Sequence, residues 1–272
     1  MQFPERFSDL PEYAFPRLRR HLGDLKPGGP EIAMSIGEPR RQLPQVVGSA
    51  ISENIDGFGR YPPNEGIAEL RDAISAWIAR RFSADVDPER GVLPLNGTRE
   101  GLFNAALALC REGKRGHPPA VLIPNPFYQC NAAAALAVGA EPVFLPATRE
   151  SGFLPDFGAL DRGLLDRTEL VYLCSPSNPQ GAVASAAYWR ELLTLAERHD
   201  FRVLADECYS EIYRTNAPFG ALQVCRTAGS DPERLIAFNS LSKRSSVPGL
   251  RSGFAVGGPR SIAAMRQLRS YG

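Results

Sequence analysis

Short apolar runs alternate with helical stretches along most of this chain, and no other feature of the sequence constrains the fold as strongly. The apolar runs predict strands at residues 92–95, 120–123, 142–145, 170–174, 201–205, 235–238 and 254–256. Helical spacing of apolar residues predicts helices at 44–54, 67–82, 99–110, 127–138 and 186–199. Because the strand runs are apolar throughout, both faces of the sheet are expected to be covered. The sequence therefore predicts an α/β fold, a three-layer sandwich with helices on both faces of a mostly parallel sheet.

The first third of the chain is less regular. Residues 1–30 are rich in proline, arginine and glycine and predict an irregular arm, with one helical turn near Arg17–Leu22. A short strand is predicted at Ile32–Ile36, ended by Gly37-Glu38-Pro39. The loop at residues 61–66 carries too many turn residues for regular structure.

Composition excludes several classes of partner. The 272 residues carry 31 Lys and Arg against 30 Asp and Glu, a formal charge of +1. No basic field is therefore present to attract nucleic acid or anionic lipid. The longest apolar run is too short to cross a bilayer, and the N-terminus lacks a signal pattern. We expect a cytoplasmic protein that binds neither nucleic acid nor membrane.

The cysteines and histidines do not predict a metal site. Three histidines lie far apart in the sequence and form no HExxH motif. The odd number of cysteines, with no CxxC pair, is typical of reduced thiols packed as small apolar side chains. These are Cys110, Cys130, Cys174, Cys208 and Cys225.

Polar residues follow several of the predicted strands. In an open α/β sheet, ligands bind beyond the carboxyl ends of the strands, so these residues are the candidates for a site. They lie at 96–99, 125–128, 175–179, 206–209 and 240–253.

Lys243 is one of three lysines in a chain whose other basic residues are arginines. A desolvated amine near another cation becomes nucleophilic, which suits covalent chemistry. Ser240, Ser242 and Arg251 suit a phosphate, since arginine offers a bidentate fork. A solvated basic loop is the alternative that these residues alone leave open.

Two other strand ends also allow alternatives. Gly97-Thr98-Arg99 opens a helix whose free amides either bind an anion or are simply capped by Thr98. Asp206-Glu207 resembles the acidic strand end of an NTPase, but no GxxxxGK[ST] or GxGxxG motif accompanies it. A nucleotide site therefore lacks its other parts.

A buried aspartate such as Asp206 needs a cationic partner. That partner is a lysine, an arginine or the protonated ring nitrogen of a ligand. Pyridoxal phosphate requires such an acid, a lysine and a phosphate site together, and all three are predicted at one edge of the sheet.

With these motifs assembled, the chain resembles the fold-type I, class I/II aminotransferases. The resemblance rests on Ser240-x-Ser242-Lys243 with Gly249-x-Arg251-x-Gly253, on Asn178-Pro179-x-Gly181 and on Asp206-Glu207-x-Tyr209. At finer grain, residues 125–129, 174–179, 210–213 and 242–253 are similar to bacterial N-succinyldiaminopimelate aminotransferases of lysine biosynthesis. Gln180 and Ser246 depart from the family pattern at positions without a catalytic role.

The resemblance implies a role for each site residue. Lys243 would attach to pyridoxal 5′-phosphate and move the substrate proton, while Asp206 would keep the pyridine nitrogen protonated. Tyr209 and Asn178 would hydrogen-bond the ring hydroxyl oxygen, and Tyr128 would stack on the ring. The phosphate would be held by Gly97, Thr98, Arg99, Ser240, Ser242 and Arg251.

The resemblance also implies substrates and partners. The family exchanges amino groups between amino acids and 2-oxo acids, here glutamate/2-oxoglutarate and an N-succinylated 2-amino-6-oxopimelate. Gly37 and Asn178 would lie near the substrate carboxylate, and Tyr61 would reach the phosphate of a neighbouring subunit in a homodimer. Arg40, Arg41 and Arg60 are the candidates for the distal carboxylate of the substrate, and a solvated surface role is the alternative for each.

Family members extend well beyond the equivalent of Gly272 into a small domain that supplies the arginine for the α-carboxylate. We therefore expect residues 1–45 to be an arm with part of the small domain, and residues 46–272 to be the large cofactor domain. On this expectation the 272-residue chain lacks most of the small domain, binds the cofactor weakly and transaminates little. Three alternatives stay open: an aspartate-like or aromatic aminotransferase, a pyridoxal-phosphate lyase, and an inactive regulatory domain that uses the cofactor as an effector.

Overall fold

A seven-stranded sheet forms the centre of the protein in a computed structural model that describes residues 5–8, 10, 12–32 and 34–271. Its order is β1-β7-β6-β5-β4-β2-β3, numbered along the chain. The strands are β1 (Val92–Leu95), β2 (Ala120–Asn125), β3 (Glu141–Pro146), β4 (Thr168–Cys174), β5 (Arg202–Asp206), β6 (Leu235–Ser240) and β7 (Gly253–Gly257).

Ten α-helices are defined over the described residues. They are α1 (Ala14–Leu22), α2 (Gln45–Glu53), α3 (Ala68–Phe82), α4 (Thr98–Leu109), α5 (Gln129–Ala137), α6 (Arg162–Arg167), α7 (Ala186–His199), α8 (Ala221–Ala228), α9 (Leu241–Arg244) and α10 (Pro259–Arg269). Each of the five helices predicted from spacing is present, and α7 has the predicted bounds.

The sheet is mostly parallel, as predicted. Strands β3, β2, β4, β5 and β6 pair in parallel, while β7 is antiparallel to both of its neighbours, β6 and β1. Strand β7 reverses because a short connection without a crossover helix layer joins it to β6. The carboxyl ends of the central strands and the β6–β7 connection therefore meet at one edge of the sheet.

Two hydrophobic clusters, one on each face of the sheet, confirm that helices cover it on both sides. One cluster contains side chains of α3, α6, α7 and α8, and the other contains side chains of α4, α5 and α10. Adjacent β4 residues alternate between them: Val171 packs in the first cluster and Tyr172 in the second. This alternation follows from the two-residue period of a strand.

The predicted strand at Ile32–Ile36 is wrong. Its described positions contain no strand, and the side chains of Ile32 and Met34 are largely exposed. A strand needs a neighbouring edge for its backbone hydrogen bonds, and this segment pairs with none. Ala33 lies outside the described residues, as do residues 1–4, 9 and 11 of the predicted arm. The part of the arm that is described forms a longer helix, α1, than the single turn expected.

Helices α6, α8 and α10 and one further feature were not predicted. Helix α6 spans only six residues and α8 only eight, and in α10 the only large buried apolar side chains are Ile262 and Met265. The polar segment after β6 begins as a helical turn, α9, and not as an open loop. Among the described residues, every helix is too short or too polar to cross a bilayer.

Candidate active site

A cavity of about 650 Å³ opens at the carboxyl ends of the central strands. Its charged lining residues are Arg99, Asp206, Lys243 and Arg251. The other predicted site residues that line it are Gly37, Thr98, Tyr128, Asn178, Tyr209, Ser240 and Ser242. Of the predicted set, Gly97 lies just behind Arg251, and Tyr61 lies outside the cavity with its side chain fully exposed.

Lys243 enters the cavity from helix α9. The backbone N–H of Ser242 donates to Ser240 Oγ at 3.0 Å, which caps this short helix and fixes the lysine just beyond the end of β6. The Lys243 amine donates to the carbonyl oxygen of Gly37 at 2.8 Å. The segment around Gly37 thus lies over the amine, so both predicted residues belong to one site.

Gly97 and Arg251 form a close cradle at the first turn of α4. Gly97 has φ +91° and ψ 157°, a conformation that side chains other than glycine's scarcely adopt. A Cβ at this position would overlap the Arg251 guanidinium. That guanidinium donates to the carbonyls of Pro248 at 3.0 Å and Asn96 at 3.4 Å. Arginine donors and free helix amides thus converge on one spot, which suits a phosphate.

Hydroxyl groups complete this part of the site. Ser240 Oγ lies 2.9 Å from Ser242 Oγ and donates to the carbonyl of Ser252 at 3.2 Å. Thr98 Oγ1 lies 3.1 Å from the sulfur of Cys208. Ser240, Ser242 and Thr98 all line the cavity, so their hydroxyls can also serve a ligand there.

Asp206 lies at the end of β5 and lines the cavity. Burial raises the pKa of its carboxyl group, whereas hydrogen bonds from Cys208 and the charge of Lys243 lower it. The Cys208 backbone N–H donates to Asp206 Oδ1 at 3.2 Å. Within the described part of the chain, Asp206 forms no ion pair. An acid in this state suits a cationic group of a ligand.

Tyr128 and Tyr209 provide aromatic walls. Burial raises the pKa of both hydroxyl groups, and Tyr209 therefore stays a hydrogen-bond donor at neutral pH. The guanidinium of Arg99 donates through Nε to Tyr128 Oη and lies 5.6 Å from the centre of that ring. Its Nη2 also lies 3.5 Å from the hydroxyl of Tyr13, which comes from the N-terminal arm.

Sequence reasoning missed some residues of the site and gave weight to others that lie elsewhere. The arm residue Tyr13 lines the cavity, although nothing in its local sequence signalled it. Cys208 also lines the cavity; it lies in the predicted strand end at 206–209 but had been given no role. Arg40, Arg41 and Arg60, expected near the entrance, do not line this cavity. The guanidinium of Arg99 does.

Comparison with known proteins agrees with this geometry. The family model of aminotransferase class I and II matches residues 30–272. The chain belongs to this family, whose cofactor is pyridoxal 5′-phosphate. The cradle at Gly97 and Arg251 and the unpaired acid Asp206 fit the phosphate and the ring nitrogen of that cofactor.

Individual relatives support the same assignment. The chain is 32% identical to the LL-diaminopimelate aminotransferase of Dehalococcoides mccartyi and 33% identical to that of Moorella thermoacetica. Each match covers 99% of this chain and 68% of the relative. A crystal structure of an aminotransferase from Neisseria meningitidis superposes with a TM-score of 0.92 at 36% identity, over 99% of this chain and 69% of that one. The predicted fold and cofactor are thereby confirmed.

Proposed function

We propose that this aminotransferase exchanges an amino group between glutamate/2-oxoglutarate and an N-succinylated 2-amino-6-oxopimelate. One observation carries the proposal: the cavity brings Lys243, Asp206 and the Gly97–Arg251 cradle together and still leaves one further cation, Arg99, at its wall. An N-succinylated substrate has several carboxylates, and each needs an arginine or an equivalent set of donors when it is desolvated.

The residues of the chain divide the chemistry among themselves. When bound, pyridoxal phosphate supplies an aldehyde for a lysine amine and a ring that accepts electrons. Lys243 would supply the amine that binds the aldehyde, and its free amine would move the proton at the substrate α-carbon. Asp206 would keep the ring nitrogen protonated, while Tyr209 and Asn178 would donate hydrogen bonds to the ring oxygen.

The remaining residues orient the two reactants. The phosphate would be held by Gly97, Thr98, Ser240, Ser242 and Arg251, together with the backbone of Arg99. Tyr128 would stack on the ring, and Gly37 and Asn178 would lie near the substrate carboxylate.

The side chain of Arg99 is our candidate for the distal carboxylate of the substrate. Its Nε and Nη2 face the hydroxyls of Tyr128 and Tyr13, which hold the planar guanidinium in place. The residue is otherwise exposed toward the cavity side of α4, so a ligand carboxylate can reach its remaining donors. This assignment replaces Arg40, Arg41 and Arg60.

A second candidate substrate is free LL-diaminopimelate. It is favoured by the relatives of 32% and 33% identity, both of which carry the name LL-diaminopimelate aminotransferase. Both substrates carry a carboxylate on the distal carbon, but succinylation replaces the distal ammonium group by an amide and adds a further carboxylate. Arg99 favours the succinyl compound, because a guanidinium attracts the added carboxylate and repels an ammonium group.

The experiment compares amino donors to 2-oxoglutarate: N-succinyl-diaminopimelate, LL-diaminopimelate and aspartate. We expect the highest kcat/KM with the succinylated donor and glutamate as the product, without ammonia release. Preference for LL-diaminopimelate would support the second candidate, and preference for aspartate would refute both. Ammonia or carbon dioxide as a stoichiometric product would support a lyase.

A pair of variants tests Arg99. Arg99→Gln should raise KM for the succinylated donor by about tenfold, the worth of one charge-assisted hydrogen bond, with little change in cofactor affinity. Arg41→Gln is the matched control and should have no such effect. Equal KM values for Arg99→Gln and the unaltered protein would refute this assignment.

A homodimer is also proposed. The Tyr61 side chain is fully exposed, and helix α2 has no buried residue although Val46 and Ile51 are on it. Apolar side chains exposed together in this way are typical of an interface. Light scattering should give twice the chain mass, and Tyr61→Phe should weaken cofactor binding if the hydroxyl reaches the phosphate of the neighbouring subunit.

A further inference from the structure

Three buried polar residues lie directly behind the site, each next in sequence to a residue that lines it. Glu207 follows Asp206, Ser210 follows Tyr209, and Asn239 precedes Ser240. Glu207 and Asn239 are each 1% exposed and Ser210 is 4% exposed. We call Glu207, Ser210 and Asn239 the buried triad. None of them has a part in the chemistry described above.

The buried triad connects the ends of β5 and β6. The Glu207 N–H donates to the carbonyl of Phe238 at 2.9 Å, which extends the pairing of the two strands. Ser210 N–H donates to the Glu207 carbonyl at 3.0 Å, and Ser210 Oγ donates to Asn239 Oδ1 at 3.4 Å. Glu207 Oε1 accepts the Ala221 N–H at 2.6 Å.

Two atoms of the triad are buried without a partner in the described part of the chain: the acceptor Glu207 Oε2 and the donor Asn239 Nδ2. The Asn239 amide is close enough to lower the pKa of the Glu207 carboxyl group, yet it makes no hydrogen bond of good geometry. An unpaired donor beside an unpaired acceptor in a buried site favours a direct bond between them.

We propose that Glu207 is a positioning residue for the cofactor. Its carboxylate accepts a hydrogen bond from Asn239 and so holds the Asp206 end of β5 against the Ser240 end of β6. Its negative charge also stabilises the protonated ring nitrogen that pairs with Asp206. This inference rests on the function proposed above. A negative charge behind Asp206 makes that carboxylate a better partner for a cationic ring nitrogen.

The groups that face Glu207 determine when it is charged. Burial raises the pKa of its carboxyl group to about 7, and the charge of Asp206 acts in the same direction. The charge of Arg81 and the hydrogen bonds from Ala221 and Asn239 oppose this rise. The thiol of Cys174 also faces Glu207, and burial keeps it neutral by raising its pKa. Glu207 therefore gains its charge as the pH rises through neutrality.

The test measures the dissociation constant of pyridoxal phosphate between about pH 6 and pH 8.5, by absorbance or quenching of protein fluorescence. Glu207→Gln keeps the shape of the side chain and removes the charge. At the upper pH we expect this variant to bind the cofactor more weakly, by roughly threefold or more, and at the lower pH to bind it equally well. A threefold change corresponds to a decrease of about half a unit in the pKa of the ring nitrogen. Glu169→Gln is the matched control, because Glu169 is also fully buried but lies at the opposite end of the sheet, at the start of β4.

Two results would overturn the proposal. One is a Glu207→Gln profile that coincides with that of the unaltered protein; the other is a loss of affinity that is equal at both pH values, as a purely structural role would give. If Glu207→Gln does not fold, Asn239→Ala replaces it: loss of the amide donor should move the midpoint of the profile to higher pH, and an unchanged midpoint would overturn the proposal. Failure of the proposed function would look different: the protein would prefer another amino donor, while the cofactor-binding profiles of the unaltered protein and of Glu207→Gln would still differ as predicted.

Discussion

Replacement of Gly97 by alanine should weaken binding of the cofactor through its phosphate and leave its ring end unaffected. Gly97 occupies a backbone conformation that is almost confined to glycine, and an added methyl group would overlap the Arg251 guanidinium. The substitution therefore acts in two ways. It strains the backbone, and it displaces the arginine from the carbonyl of Asn96.

Backbone strain and displacement of the arginine change two different measured quantities, the free energy of unfolding and the affinity for the cofactor. Backbone strain costs about 1–3 kcal/mol and is present with or without the cofactor, so it lowers the free energy of unfolding. Displacement of Arg251 removes one charge-assisted hydrogen bond to the phosphate, worth about 1.5–3 kcal/mol. Cofactor affinity should therefore fall by roughly 10- to 150-fold, since 1.4 kcal/mol is about tenfold.

The assay is a titration of the protein with pyridoxal phosphate and, separately, with pyridoxal, which lacks the phosphate. We expect Gly97→Ala to lose most of its affinity for the first ligand and less than about threefold for the second. Gly229→Ala is the control, because Gly229 also has positive φ but has no atom within 4 Å of an added Cβ. That variant should lose stability and keep both affinities. Equal losses for the two ligands in Gly97→Ala would refute the role of the cradle.

Four further outcomes are expected. Borohydride reduction of the cofactor-loaded protein should fix the pyridoxyl group on Lys243, as shown by peptide mapping; a label on Lys26 or Lys114 would refute the assignment. Asp206→Asn should bind the cofactor at least about tenfold more weakly, because the ring nitrogen loses its anionic partner; unchanged affinity in a titration would point to another partner. Lys114→Met should lower the free energy of unfolding in urea by roughly 2–5 kcal/mol with unchanged cofactor affinity, because the buried amine donates to three backbone carbonyls; a loss below about 1 kcal/mol would contradict this. The native protein should lose stability relative to Glu207→Gln as pH rises from 4.5 to about 7, by at most about 3 kcal/mol, because the folded state keeps a proton that the unfolded state releases; parallel stability curves would show that Glu207 titrates normally.

Local sequence patterns predicted much of the fold, and there are physical reasons why they failed for particular elements. Helix α7 was predicted with its bounds because its apolar residues recur at helical spacing, and in the structure Ser185 caps its first turn. The segment Ile32–Ile36 has the composition of a strand, but strand formation depends on a neighbour that no local pattern reveals. Helix α10 was missed because Ile262 and Met265 are its only large buried apolar side chains.

The sequence predicted the residues of the candidate site more completely than it predicted the N-terminal segment and the shorter helices. The resemblance of motifs placed Lys243, Asp206 and Arg251 in one site, and the cavity contains all three. What the sequence did not reveal is how side chains from distant segments pair. The contact of Arg99 with Tyr128 joins residues 29 positions apart, and its contact with Tyr13 joins residues 86 apart. Such pairs are set by tertiary packing, so the sequence indicated neither these contacts of the Arg99 side chain nor that Arg40, Arg41 and Arg60 lie outside the cavity lining.

Cys208 shows why the parts of this site act together. Its sulfur lies 3.1 Å from the Thr98 hydroxyl, next to the phosphate cradle, and its backbone N–H donates to Asp206 at 3.2 Å. One residue thus joins the first turn of α4, which is the proposed phosphate site, to the end of β5, where Asp206 is the proposed partner of the ring nitrogen. The distance between the two ends of the cofactor is constant, so a direct link between the elements that hold them keeps both contacts in register. In the sequence these elements are separate motifs about a hundred residues apart; in the structure they form a single support, and the buried triad behind Asp206 adds β6 and Lys243 to it.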